Sequence, residues 1–160
     1  MFPTRIDIPE KQRTQLVELL NARLADILDL QLQTKQAHWN VKGPRFIALH
    51  ELFDETAEDI EEHVDEIAER ITALGGVAEG TIQVLVKKST LPPYPLNIST
   101  GTAHVEAMAN AFAHVGKNFR AAINQSDEMK DADTTDLFTG ISRDLDQRLW
   151  FIEAHLQADK

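Results

Sequence analysis

Two pairs of metal-capable side chains recur at four-residue spacing in one stretch of the chain, His50 with Asp54 and Asp65 with Glu69. On a helix, residues four apart share a face and their side chains are neighbours, so each pair can grip one ion. His38, just before the Gly43-Pro44 turn, is a third candidate. Imidazole and carboxylate together suit iron, zinc or manganese. The chain contains no cysteine, which removes thiolate ligands, disulfides and cysteine nucleophiles together.

The spacing between the pairs carries more information than the pairs themselves. Asp54 and Asp65 are close to a whole number of helical turns apart, so both pairs lie on one side of one helix. At about 1.5 Å rise per residue they are separated by roughly 20 Å, too far for a single cluster. Two copies of the helix laid antiparallel about a two-fold axis near Asp59 and Ile60 would bring His50 and Asp54 of one level with Asp65 and Glu69 of the other. The arrangement would then occur twice per dimer. The apolar residues Leu49, Phe53, Ile60, Val64, Ile67, Ile71 and Leu74 recur at three- and four-residue steps and define the face turned to the subunit's own core. With about 100° of rotation per residue, the four ligand candidates fall roughly 80 to 180° from that stripe. The sequence also lacks any Glu-x-x-His, the motif that places ligands inside a bundle's own core. These features predict a metal site shared by two subunits.

The elements that must position these residues are helices. A first helix is predicted over about 9–40, with Pro9 at its start and Leu16, Leu19, Leu20, Leu24, Ile27 and Leu28 on its apolar face. Gly43-Pro44 breaks it; a second helix follows over about 44–74 with Pro44 in its first turn, and Gly75-Gly76 caps its end. So short a turn makes the two helices antiparallel and sets His38 near the height of His50. Residues 77–99 form a long crossover with Gly80, Pro92, Pro93 and Pro95; its centre, Thr81 to Lys88, is compatible with a short helix or a strand. A third long helix is expected over about 100–124 and a fourth over about 134–156, with the polar stretch Gln125 to Asp133 between them. The expectation is an all-α, ferritin-like four-helix bundle with one long crossover, forming a single domain over 1–160.

A net charge of −10 argues against a generally nucleic-acid-binding surface and favours the attraction of cations. No secretory h-region or membrane-length apolar segment is evident, which predicts a cytoplasmic protein with no membrane partner. Glu58 and Glu61 fall on the interface arc, where they would repel across the two-fold axis, pair with basic residues or guide metal inward. Asp131, Asp133, Asp136 and Asp144 either line a pore for incoming iron or form a solvated surface. His63, His104, His114 and His155 read as surface or packing histidines, and Trp150 is expected to pack the last helix.

The run KQAHWNVKGPRF, His50-x-x-x-Asp54, Asp65-x-x-x-Glu69-Arg70 and the closing Leu74-Gly75-Gly76 resemble the Dps-type miniferritins, the DNA-protection-during-starvation proteins. The similarity extends through Tyr94-Pro95-Leu96 to Ser142-Arg143-Asp144-Leu145-Asp146 and Leu149-Trp150-Phe151-Ile152-Glu153. The resemblance implies a hollow homododecamer built from two-fold dimers, with a di-iron ferroxidase centre at each dimer interface and ferric mineral inside. It assigns iron to Asp65 and Glu69 of one subunit with His38 of its partner, and a second ion to the partner's His50 and Asp54. Trp39 resembles the tryptophan beside that centre, able to supply or trap an electron. The implied substrates are Fe(II) and hydrogen peroxide, with oxygen a slower oxidant. The Lys- or Arg-rich tails of many DNA-condensing members are missing: the first thirteen residues mix Arg5, Lys11 and Arg13 with Asp7 and Glu10, so direct DNA binding is not expected. Two rival readings are a nucleoid-associated DNA-binding shell with secondary iron chemistry, and a purely structural helical oligomer.

Overall fold

Pro9, with φ −54° and ψ 141°, is the last extended residue before α1 (Glu10–Asn40), and its carbonyl accepts from the Arg13 amide at 3.0 Å. Leu16, Leu20, Leu24, Ile27, Leu30 and Ala37 of α1 are buried at the three- and four-residue steps of an amphipathic helix. The computed structural model describes residues 1–157. Among these, α1 is followed by α2 (Phe46–Ala73), α3 (Ile82–Lys88), α4 (Gly101–Glu128) and α5 (Ala132–Gln157), with no strand. The protein is all-α, and its crossover carries a short helix rather than a strand.

The connections decide where the site residues end up. Pro44 lies ahead of α2 rather than in its first turn: Gly43 has φ +108°, and its carbonyl accepts from the Phe46 amide at 3.0 Å. That is a β-turn with proline at the position whose φ it pre-sets. At the other end of α2 the Gly76 amide donates to the Ile71 carbonyl and the Gly75 amide to the Thr72 carbonyl, both at 2.9 Å. This is the double-bonded stop that requires a left-handed residue, and Gly75 supplies it with φ +83°. A Cβ on Gly75 would come within 2.4 Å of the Phe2 carbonyl oxygen, so the N-terminal segment also depends on this glycine.

The crossover is pinned at both ends by buried polar groups of α1. Asn21 donates to the Val77 carbonyl at 3.1 Å and accepts from the Glu79 amide at 2.9 Å. Asp26, fully buried, accepts from the Thr90 amide and hydroxyl at 2.8 and 2.9 Å and from Asn118 at 3.1 Å, and pairs with Arg23 at 3.0 Å. The carboxylate thus joins α1, the crossover and α4 at one point.

α1 packs on α2 and α4 on α5, and the two hairpins meet through α1 against α4 and α2 against α5. Phe53, Phe112, Phe119 and Phe138 are fully buried at the centre, the last two edge-to-face with centroids 5.6 Å apart. Burial of each such side chain stabilises the fold by about 1.5–3 kcal/mol. α4 runs on through the polar residues Gln125 to Glu128, and the chain turns at Lys130, whose φ is +57°. Polar composition alone does not stop a helix; a left-handed residue does.

Candidate metal centre

The turn between α1 and α2 lays the last turn of one helix beside the first turns of the next, and His38 and His50 face each other there. Nδ1 of His38 donates to the His50 carbonyl at 2.8 Å, and Nδ1 of His50 donates to the His38 carbonyl at 3.0 Å. The rings stack with centroids 3.8 Å apart and 20° between planes. The His38 carbonyl is one of the last of α1, where helical partners run out, so a ring N–H is a natural donor to it. Since a carbonyl only accepts, both Nδ1 atoms carry hydrogen. In the neutral rings both Nε2 atoms therefore present lone pairs, the tautomer that metal-ligating histidines adopt.

Asp54 joins this pair one turn after His50. Its Oδ1 lies 3.7 Å from Nε2 of His38 and in direct contact with Nζ of Lys35. The Lys35 hydrogen bond, aided by the nearby charges of His38, Lys35 and His50 and opposed by partial desolvation, holds the Asp54 carboxyl below its usual range. Sequence reasoning did not single out Lys35, although it stands three residues before His38 on the same helical face.

Asp65 and Glu69 are on the same continuous helix, both exposed. The helical rise sets them roughly 20 Å from the His50 end. Among the described residues of one chain, no three histidines or carboxylates gather to hold an ion. One chain sets His38, His50 and Asp54 near one another without closing them round an ion position, and leaves Asp65 and Glu69 apart. Glu58 and Glu61 are exposed along the face between them and, with Asp65, line a shallow depression of about 510 Å³, while Asp59 pairs with Arg148 of α5. Leu49, Phe53, Ile60, Ile67, Ile71 and Leu74 are buried on the opposite side. Trp39, next to His38, is 65% exposed.

Two expectations need correction. Asp131 is only 4% exposed and makes a two-pronged bond to Arg70 at 2.9 and 2.7 Å, with the Thr134 hydroxyl also donating to it; it locks the α4–α5 turn to α2 and cannot line a pore. Asp133, Asp136 and Asp144 are exposed and share a recess of about 300 Å³ with His63 and Glu66. His63 bridges Glu66 at 3.1 Å and Asp144 at 3.2 Å. Trp150 does not pack α5: it is 60% exposed, because the buried stripe runs through Ile141, Leu145 and Ile152 and position 150 falls well off it.

Residues 17–160 match the family described as Ferritin-like domain. The DNA protection during starvation protein of Agrobacterium fabrum is 45% identical over 154 residues, 96% of this chain and 95% of that protein. The protein of the same name from Mycolicibacterium smegmatis is 32% identical over 94% of this chain and 82% of its own length. Among solved structures, DpsA14 from Streptomyces coelicolor superposes with a TM-score of 0.93 at 38% identity, over 98% of this chain and 92% of that one. No helix among the described residues is long and apolar enough to cross a membrane.

Proposed function

The chain belongs to the ferritin-like family, among the DNA-protection-during-starvation (Dps) proteins whose roles are iron storage and DNA protection, and from that membership we propose that it is a ferroxidase whose centre is shared by two protomers. His38, His50 and Asp54 of one protomer and Asp65 and Glu69 of its two-fold partner bind two Fe(II) ions as substrate. Hydrogen peroxide accepts one electron from each, giving two Fe(III) and two hydroxide ions, so no one-electron peroxide fragment is released. Oxygen serves as a slower oxidant. The ferric product is stored as oxyhydroxide inside a hollow twelve-subunit shell in the cytoplasm.

The reciprocal His38–His50 bonding carries this reading. It orients two imidazoles before any ion arrives, so ordering them costs little on binding. Carboxylates favour Fe(III) over Fe(II), and neutral imidazoles hold the incoming ferrous ion. Lys35 occupies Asp54 until an ion displaces it. Trp39 stands beside the site with its indole in the open, placed to give an electron when an ion pair is incompletely loaded.

DNA protection on this reading works by removing Fe(II) and peroxide together. Of the N-terminal cations, Arg13 is buried and spends its guanidinium on the Leu74 carbonyl at 2.7 Å and the Ile8 carbonyl at 3.1 Å, which leaves it unable to meet a phosphate. The expected result of an anaerobic Fe(II) titration followed by peroxide is two irons oxidised per peroxide consumed, with no hydroxyl radical trapped in solution. Radical release at that stoichiometry would refute paired transfer, and tight, salt-sensitive DNA retention without iron oxidation would favour the DNA-binding shell.

A further inference from the structure

The chain has one tyrosine, and its partner is a buried histidine. Tyr94, half-buried in the crossover, donates its hydroxyl to Nδ1 of His104 at 2.6 Å, with the rings close to parallel. His104, in the first turn of α4, is 1% exposed. Neither residue belongs to the proposed ligand set. Burial pushes the Tyr94 phenol well above its usual range, so it stays a neutral donor. Burial also holds the His104 imidazole below its usual value, so it stays a neutral acceptor.

Acceptance at Nδ1 puts the remaining ring hydrogen on Nε2. That nitrogen is buried and makes no full hydrogen bond. The Asn40 backbone, at the end of α1, lies near enough to favour a charged ring, against the opposing charge of Lys42. Asn40 directly follows His38 and Trp39. The dyad therefore abuts the chain two residues past His38, with a latent acceptor behind the imidazole.

A phenol bonded to a buried neutral base loses an electron most easily when its proton leaves at the same time, because no cationic phenol has to form against a fully buried imidazole in a half-desolvated site. We propose that Tyr94 and His104 form a redox dyad that intercepts hydroxyl radicals. Tyr94 gives one electron to the radical, which becomes hydroxide, and the phenolic proton passes to Nδ1 of His104. A neutral phenoxyl is left beside an imidazolium, whose Nε2–H now turns to the Asn40 carbonyl. The inference rests on the ferroxidase reading for its source of radicals, which arise when a single Fe(II) meets peroxide.

The test uses the assembled full-length protein, loaded with Fe(II) without oxygen, mixed with peroxide and freeze-quenched for electron paramagnetic resonance. With one tyrosine per chain, any phenoxyl signal is that of Tyr94. The signal is expected in the wild type and lost in Tyr94→Phe, while iron oxidation continues in both. A second arm needs no iron: azidyl radicals from pulse radiolysis oxidise the wild type and His104→Gln, and the variant is expected to form phenoxyl about a hundredfold more slowly, the lower range for a positioned base. If that difference holds while iron oxidation is absent, the dyad stands and the ferroxidase reading falls. Should His104→Gln not fold, deuterium-exchange measurements on the wild-type phenoxyl are expected to show an exchangeable proton hydrogen-bonded to its oxygen. Iron oxidation with radicals confined to Trp39 or Trp150, equal rates in the radiolysis arm, or a phenoxyl without that proton would overturn the proposal.

Discussion

On the proposed reading, Lys35 stands where an incoming cation would bind. Its contact with Asp54 is between two partly exposed side chains, so the pair is screened by solvent and only weakly holds the unloaded carboxylate. Lys35→Met is accordingly expected to raise affinity for Fe(II), or for Co(II) as a stable probe, by up to about fivefold in anaerobic calorimetry. No change would mean that Lys35 does not compete for the carboxylate. The Asp54 carboxyl is held below its ordinary range, so the pairing is intact at neutral pH and is lost as pH falls through that lowered value. The placing of His50 beside Asp54 and of Asp65 beside Glu69 was legible in the sequence because helical spacing is local: four residues apart means adjacent. Lys35 was not, because a lysine is no ligand and its partner lies nineteen positions on, across a turn. Asp131 failed for the same reason. Its acidity is written in the chain, but Arg70, sixty-one positions away, is what buries it.

At the scale of elements, the α2 stop and the crossover anchor are the points where one change should cost most. Gly75→Ala puts a Cβ on a left-handed residue and against the Phe2 carbonyl, and is expected to lower stability by about 1–2 kcal/mol, read from denaturant midpoints. Asp26→Ala removes the common acceptor of Thr90 and Asn118 and leaves Arg23 without its counter-ion; about 3 kcal/mol is expected. A loss below 1 kcal/mol would show that the crossover holds without it. His104 and His155 are both kept below the ordinary imidazole value by burial. The unfolded chain therefore binds protons that the folded chain refuses, and thermal midpoints should fall as pH drops below about 6.5, the ordinary histidine value. Gly75-Gly76 announced the end of α2 in the sequence because a left-handed cap demands glycine. The end of α4 was not announced, since Lys130 carries no such mark, and Trp150 was misjudged because burial depends on a helix's phase rather than on a residue's size.

For the molecule as a whole, the two halves of the candidate centre lie toward opposite ends of one continuous helix. A His38→Ala protein and an Asp65→Ala protein should each oxidise iron poorly on their own. Mixed, unfolded and reassembled together, they are expected to recover about a quarter of wild-type activity, since half the dimers are mixed and each mixed dimer holds one intact site. No recovery would count against a shared centre. The architecture was legible because the helix lengths and the long crossover fit few arrangements; the two-fold packing of one protomer on another was read only from the spacing of the two pairs, and the mixing experiment is what tests it. A newly made chain with its carboxylate pair and its imidazole pair so far apart would be inert toward ferrous ion on leaving the ribosome. Reactivity would be switched on only by pairing, rising with the square of chain concentration at low abundance, so that a lone chain never begins the hazardous step.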